Sequence, residues 1–133
     1  MNIFISLNQA LKGKGGNEGL LSVADSYGST KAGKLASLYA GIALMNQSKF
    51  KEAITRLEAF SADDQVVQAK AYCLIGDCNL ELKNTAGAIE YYKKAAEYKS
   101  NKFATPGYLM KLALAQTEAK DNKSAVATYT DII

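Results

Sequence analysis

A small–large–apolar skeleton recurs along this chain. It reads Ala88, Tyr92, Ala95; the same pattern stands 35 residues earlier as Ala53, Leu57, Phe60 and 37 residues later as Ala125, Tyr129, Ile132. Spacings of four and three residues put each set on one face of a helix. A second marker keeps step, a Gly or Ala twelve residues before each Ala: Gly41, Gly76 and Ala113. Two markers moving together with a period near 34 indicate stacked helix pairs, an all-α repeat architecture that usually works as a binding scaffold. One hairpin cannot bury its apolar face alone, and stacking on the next hairpin solves that problem. The Gly or Ala of each first helix lets the second helix approach, and the Ala of the second accepts the contact. A bulky residue at either place would push the hairpin open.

Helix limits follow from capping residues. Asn17 caps a helix to Tyr27, with Gly28 just past its end. Thr30 caps the next, to about Gln47, and Ser48 caps one reaching about Ser61. Asp63 or Asp64 starts a helix to Lys83, and Asn84 or Thr85 one to about Tyr98. Thr105-Pro106 reads as an N-cap followed by Pro at the first helical position. That helix reaches about Lys120, and Asn122 caps the last one. A weaker helix covers 3–11. Lys12–Gly16 is a connector, without the Gly-Lys-Ser/Thr ending of a phosphate loop. Short connectors make neighbouring helices antiparallel.

Composition narrows the function classes. With 48% apolar and 22% charged residues in 133, the chain is a folding domain, not a disordered segment. Net charge is +3, and no segment carries a basic stripe dense enough for nucleic acid. Lys93, Lys94, Lys99 and Lys102 alternate with Glu90 and Glu97, which reads as a solvated helix face. Cys73 and Cys78 lie five apart in one helix, so their Cα atoms are roughly 8–9 Å apart, too far for a disulfide. Their spacing and the lack of His also fail as a zinc site. They read as small buried apolar residues. No 18-residue apolar run and no signal peptide occur, so a soluble segment without direct membrane contact is expected. The chain stops inside an apolar helical pattern at Asp131-Ile132-Ile133. Repeat arrays usually end on a polar cap, so a piece of a longer protein is expected.

These residues resemble the tetratricopeptide repeat. Three repeats lie at about 34–67, 69–102 and 106–133, the last incomplete, with a degenerate half-repeat at 18–27 (Gly19, Val23, Ser26) in the N-terminal part 3–28. The eighth positions are Gly41, Gly76 and Ala113, and the twentieth are Ala53, Ala88 and Ala125. Tyr72 fits the aromatic fourth position, whereas Ser37 and Leu109 depart from it. The eleventh, usually Tyr in the family, is Leu44, Asn79 and Gln116. Pro106 opens a repeat where the family places Pro at the close. The resemblance implies a single domain over 1–133, a right-handed solenoid of antiparallel helix hairpins. A second likeness runs from Glu18 through Tyr27-Gly28-Ser29-Thr30-Lys31-Ala32 to Gly41. It is to bacterial repeat proteins with an N-terminal membrane anchor that attend the protein-translocation channel, and it implies an anchored parent protein.

The family resemblance also implies a concave face lined by the first helices. Its candidate positions here are Leu35, Leu38, Ile42, Met45, Lys70, Cys73, Asp77, Leu80, Met110 and Leu114, with Asn46, Glu81, Gly107, Thr117 and Glu118 in matching places. Family members that clamp a peptide's terminal carboxylate use Lys, Asn and Arg at positions occupied here by Leu38, Ile42, Leu74, Gly107 and Lys111. Four of the five do not fit, so no carboxylate clamp is expected. An apolar strip with acidic residues at one side remains. It suits an apolar helix or extended peptide, with Met45 and Met110 as adaptable contacts. Equally, a flanking helix or the segment 3–11 fills part of it.

Catalysis is not expected. No His, and no Ser or Cys beside a base, assembles a nucleophile. Asp63/Asp64 read as a helix start and Glu81/Glu118 as groove rim. No cofactor or metal is implied. The expected function is a non-catalytic protein-interaction scaffold; the alternative is a structural module that forms homo-oligomers through its apolar ends.

Overall fold

The structure, a computed structural model, describes residues 19–62, 65–99 and 104–132. Among them are seven helices and no strand: α1 (Leu20–Ser26), α2 (Lys31–Asn46), α3 (Phe50–Ala59), α4 (Gln65–Glu81), α5 (Thr85–Glu97), α6 (Thr105–Glu118) and α7 (Asn122–Ile132). The expected helix at 3–11, the connector Lys12–Gly16 and the caps at Asn17 and Asp63 or Asp64 lie outside the described residues.

The chain forms two compact units, Met1–Ala62 and Asp63–Ile133. In the first, α1 packs on α2 and α2 on α3. Helix α2 buries Ala36, Leu38, Ala40, Ala43 and Leu44, more than one face, because it is covered from both neighbours. An Arg56–Asp25 ion pair of 2.6 Å ties α3 to α1 at the surface. In the second unit α4 packs on α5, α5 on α6 and α6 on α7. Its core joins Cys73 of α4, Ala88, Tyr92 and Ala95 of α5, and Leu112 and Ala115 of α6. Within each unit, each helix packs on the next in sequence, the helical-repeat architecture read from the period.

The repeat markers sit where close approach needs them. A Cβ on Gly41 would lie 2.7 Å from the Leu57 side chain, and one on Gly76 would lie 2.6 Å from the Tyr92 ring. Ala53 and Ala88 are fully buried across those contacts, and Ala125 nearly so. The polar eleventh positions are absorbed inside the hairpins. Buried Asn79 donates to the Ile75 carbonyl at 2.9 Å and accepts from Asn84 Nδ2 at 3.0 Å. Buried Gln116 accepts from the Thr128 hydroxyl at 2.7 Å. Every buried side-chain nitrogen and oxygen among the described residues has a partner, so these substitutions for Tyr leave no orphaned polar atom.

The three hairpin turns share one geometry. Ser48, Lys83 and Lys120 all take the left-handed conformation, with φ of 60°, 64° and 64°. Each amide bonds the carbonyl three residues back, and the following amide bonds the carbonyl five residues back. Thus Lys83 N–H reaches Leu80 O at 3.0 Å and Asn84 N–H reaches Asn79 O at 2.8 Å; the Ser48 and Lys120 turns repeat the pair. This is the Schellman ending of a helix, where Gly is the usual residue. The residue after it caps the next helix. Asn84 does so as expected, accepting from Gly87 N–H at 3.1 Å. Three caps fall one residue from their expected places. Ser48 is the left-handed turn residue and Lys49 the cap; Ala104, not Thr105, precedes α6; and Asp121, not Asn122, accepts from Ser124 N–H. At Lys49 and Asp121 the left-handed turn before each sets which residue is the cap, whereas Ala104 keeps helical dihedrals and makes no side-chain cap bond.

These turns give a stabilising change. A left-handed non-glycine residue costs about 1–2 kcal/mol, and glycine's extra chain entropy returns roughly half of the gain. Lys83→Gly and Lys120→Gly are each expected to raise the unfolding free energy by about 0.5–1 kcal/mol. Urea denaturation checks this, and a loss at both sites would contradict the shared turn geometry.

Candidate partner-binding face

The sequence-derived groove residues fall on α2 in the first unit and on α4 and α6 in the second. On α2, Leu35 is exposed, Ile42 and Met45 are half-buried, and Leu38 is buried. On α4, Lys70 is exposed, Asp77 and Leu80 are half-buried, and Cys73 is 1% exposed. On α6, Met110 and Leu114 stand out at 43% and 55% exposed, four residues apart on one face. Leu38 and Cys73 therefore offer no open surface of their own, contrary to their expected place on the strip. Cys73 packs into the core with Tyr92 and Leu112, which confirms the reading of both cysteines as buried small apolar residues.

The second unit brings Asp77, Leu80 and Leu114 together in one cleft of about 220 Å³. The ring of Tyr92, Lys111, Ala115 and Glu118 complete its lining. The cleft is built from the repeat upward. Gly76 admits the Tyr92 ring against α4, which leaves the phenol directed at the next residue, Asp77. Tyr92 donates to Asp77 Oδ1 at 2.6 Å. From α6, Lys111 donates to both Asp77 oxygens, at 2.9 and 3.1 Å, with its Nζ 5.8 Å from the Tyr92 ring centre. One carboxylate thus ties three helices, and Lys111, the single fit among the clamp positions, is spent on it.

The electrostatics follow from burial. Burial, the largest influence, pulls the Lys111 ammonium down, but the hydrogen bond and charge of Asp77 and the nearby Cys73 sulfur together outweigh it and hold Lys111 above the ordinary lysine range. Burial, with the Asp77 hydrogen bond second, pushes the Tyr92 phenol up. Burial likewise pushes the Cys73 thiol up and the Cys78 thiol to about 12. All three must stay protonated in the fold. Their contribution is complete below the unfolded values, 9.0 for the thiols and 10.0 for the phenol, and is lost progressively as pH rises from there towards the raised folded values. The urea midpoint is expected to hold to about pH 8.5 and to fall steadily by pH 10.5. A flat midpoint over that interval would contradict this account.

Sequence reasoning missed Tyr92 and Lys111 as parts of this face. A buried tyrosine needs a partner for its hydroxyl, and the Gly76-Asp77 pair was the signal for it. Lys111 follows Asp77 by 34 residues, one repeat on. Lys93 and Lys94 on α5 and Lys99 just past it form the expected solvated face; Lys102 lies outside the described residues. Lys94 lies 3.7 Å from Glu90 and 4.6 Å from the Tyr91 ring centre, and Lys99 lies over Tyr98. No helix among the described residues is long and apolar enough to cross a membrane.

Among curated proteins, none matches the sequence. The tetratricopeptide-repeat family profile matches residues 38–107, more than half of the 133. That match spans α2 to the start of α6, the helices that carry Gly41, Ala53, Gly76 and Ala88. The chain belongs to the tetratricopeptide-repeat family, whose members are generally non-catalytic modules for protein–protein interaction.

Proposed function

We propose that this protein is a scaffold that holds an apolar peptide or helix on the face that α4 and α6 form in its second unit. The observation that carries the reading is the pair Met110 and Leu114, exposed one turn apart on α6, beside half-buried Leu80 and the Asp77–Lys111 pair. Large apolar side chains left open next to a satisfied polar network suit a partner's side chains. The cleft volume lies below the roughly 300–1,000 Å³ of a small-molecule site, which favours a peptide side chain over a cofactor. In the first unit, Leu35, Ile42 and Met45 are the corresponding apolar positions on α2.

Leu114→Glu and Met110→Glu test this. Each is expected to weaken partner binding tenfold or more, because it puts a charge into a desolvated contact. Both side chains are exposed, so the unfolding free energy is expected to change by less than about 0.5 kcal/mol. Calorimetric titration and urea denaturation on the same variants check both halves. Binding that survives both substitutions unchanged would move the site elsewhere.

A second reading, self-association, draws on Val126 of α7, which is 64% exposed. Light scattering over a concentration series separates the two. A defined oligomer lost in Val126→Glu supports self-association; a monomer at all concentrations supports the scaffold alone.

A further inference from the structure

The cleft of the second unit also carries a charge pattern, and this inference rests on the peptide-binding reading above. Its charged lining groups are Asp77, Lys111 and Glu118. Asp77 receives Tyr92 on one oxygen and Lys111 on both. Neither group is available to a partner without stranding the other, which is costly for a half-buried carboxylate. Glu118 differs. It is exposed, lines the same cleft, and receives no hydrogen bond or ion pair from any described residue. The open charge of the cleft is therefore one carboxylate beside the apolar surface of Leu80, Leu114 and Ala115.

An apolar side chain seated on that surface takes water away from Glu118. Partial desolvation of a carboxylate is unfavourable unless a cation accompanies it. We propose that this cleft selects peptide segments that present an aliphatic side chain with a lysine or arginine close behind it. The spacing comes from α6. Leu114 and Glu118 are four residues apart on one face, about 6 Å along the helix. A partner's cation meets Glu118 when it follows the aliphatic anchor by three or four residues in a helix, or by two in an extended strand. An acidic residue in that place would face Glu118 directly and would have to compete with Asp77 for Lys111.

A display library of random dodecapeptides, selected on the full chain, tests this. Enrichment of an aliphatic residue with Lys or Arg at one fixed spacing is expected. A selected peptide, labelled with fluorescein, is then titrated by anisotropy. Replacing its basic residue by Glu is expected to weaken binding about fivefold or more, the order of one partly exposed ion pair turned to repulsion. The chain variant Glu118→Lys is expected to reverse that preference and bind the Glu-bearing peptide better. Peptides that lose binding on Leu114→Glu yet show no preference between Lys and Glu would overturn this inference and leave the concave-face reading standing. The same holds for a preference that Glu118→Lys does not shift. If no peptide is selected, or if the selected peptides bind Leu114→Glu as well as the parent, the concave-face reading itself falls.

Discussion

Tyr92→Ala is expected to lower the unfolding free energy by about 3–5 kcal/mol. The ring is 2% exposed and stands at the centre of the core that joins α4, α5 and α6. Gly76 has no side chain to move into the space, and its neighbours Ala88, Ala95 and Ala115 are too short to fill it. The cavity term therefore stays with the transfer term. Tyr92→Phe keeps the ring and removes only the hydroxyl's bond to Asp77, a carboxylate that retains Lys111 on both oxygens. A loss of about 1 kcal/mol is expected there. Lys94→Ala, on an exposed face, is expected to cost under about 0.5 kcal/mol. Urea denaturation followed by far-UV dichroism ranks the three. Similar losses for all three would mean that the repeat register is misplaced.

The second large effect is at a turn. Gly33 and Gly107 are both the third residue of their helix, α2 and α6. A Cβ on Gly33 would collide with the Tyr27 carbonyl, which is backbone and already accepts from the Thr30 hydroxyl at 2.6 Å. The Gly33 amide also donates to Thr30 Oγ1 at 3.0 Å, the cap of α2. A methyl group here must separate α1 from α2 or break the cap. Gly33→Ala is expected to cost about 1–3 kcal/mol. At Gly107 nothing lies within 4 Å of the same atom. Gly107→Ala is expected to gain up to about 0.5–1 kcal/mol from helix propensity alone. Thermal melts of the pair check the signs. Two stabilising changes would show that α1 does not pack on α2 as described.

The match between sequence and structure differs from element to element for physical reasons. Thr30 and Asn84 were legible as caps because a cap is a local bond, from a side chain to an amide three residues on. Gly41, Gly76, Ala53 and Ala88 were legible because the repeat forces small residues to recur where helices touch. Ser48, Lys83 and Lys120 were not legible as left-handed turn residues. Nothing in a serine or lysine signals that conformation, and the two bonds that close each turn impose it.

At the candidate face the division is sharper. The amino-acid sequence by itself determined the all-helical repeat and the hairpin limits to within a residue or two. These depend on periodicity and on contacts within a turn or two of chain. Only the tertiary structure decided that Leu38 and Cys73 point into the core, that Tyr92 reaches Asp77, and that Lys111 closes on the same carboxylate from α6. Those outcomes depend on the lateral offset of neighbouring helices, within one repeat for Tyr92 and between repeats for Lys111. An offset of a few ångströms separates a salt bridge from two solvated charges, and it is set by how Gly76, Tyr92 and Leu112 pack together, not by any local pattern.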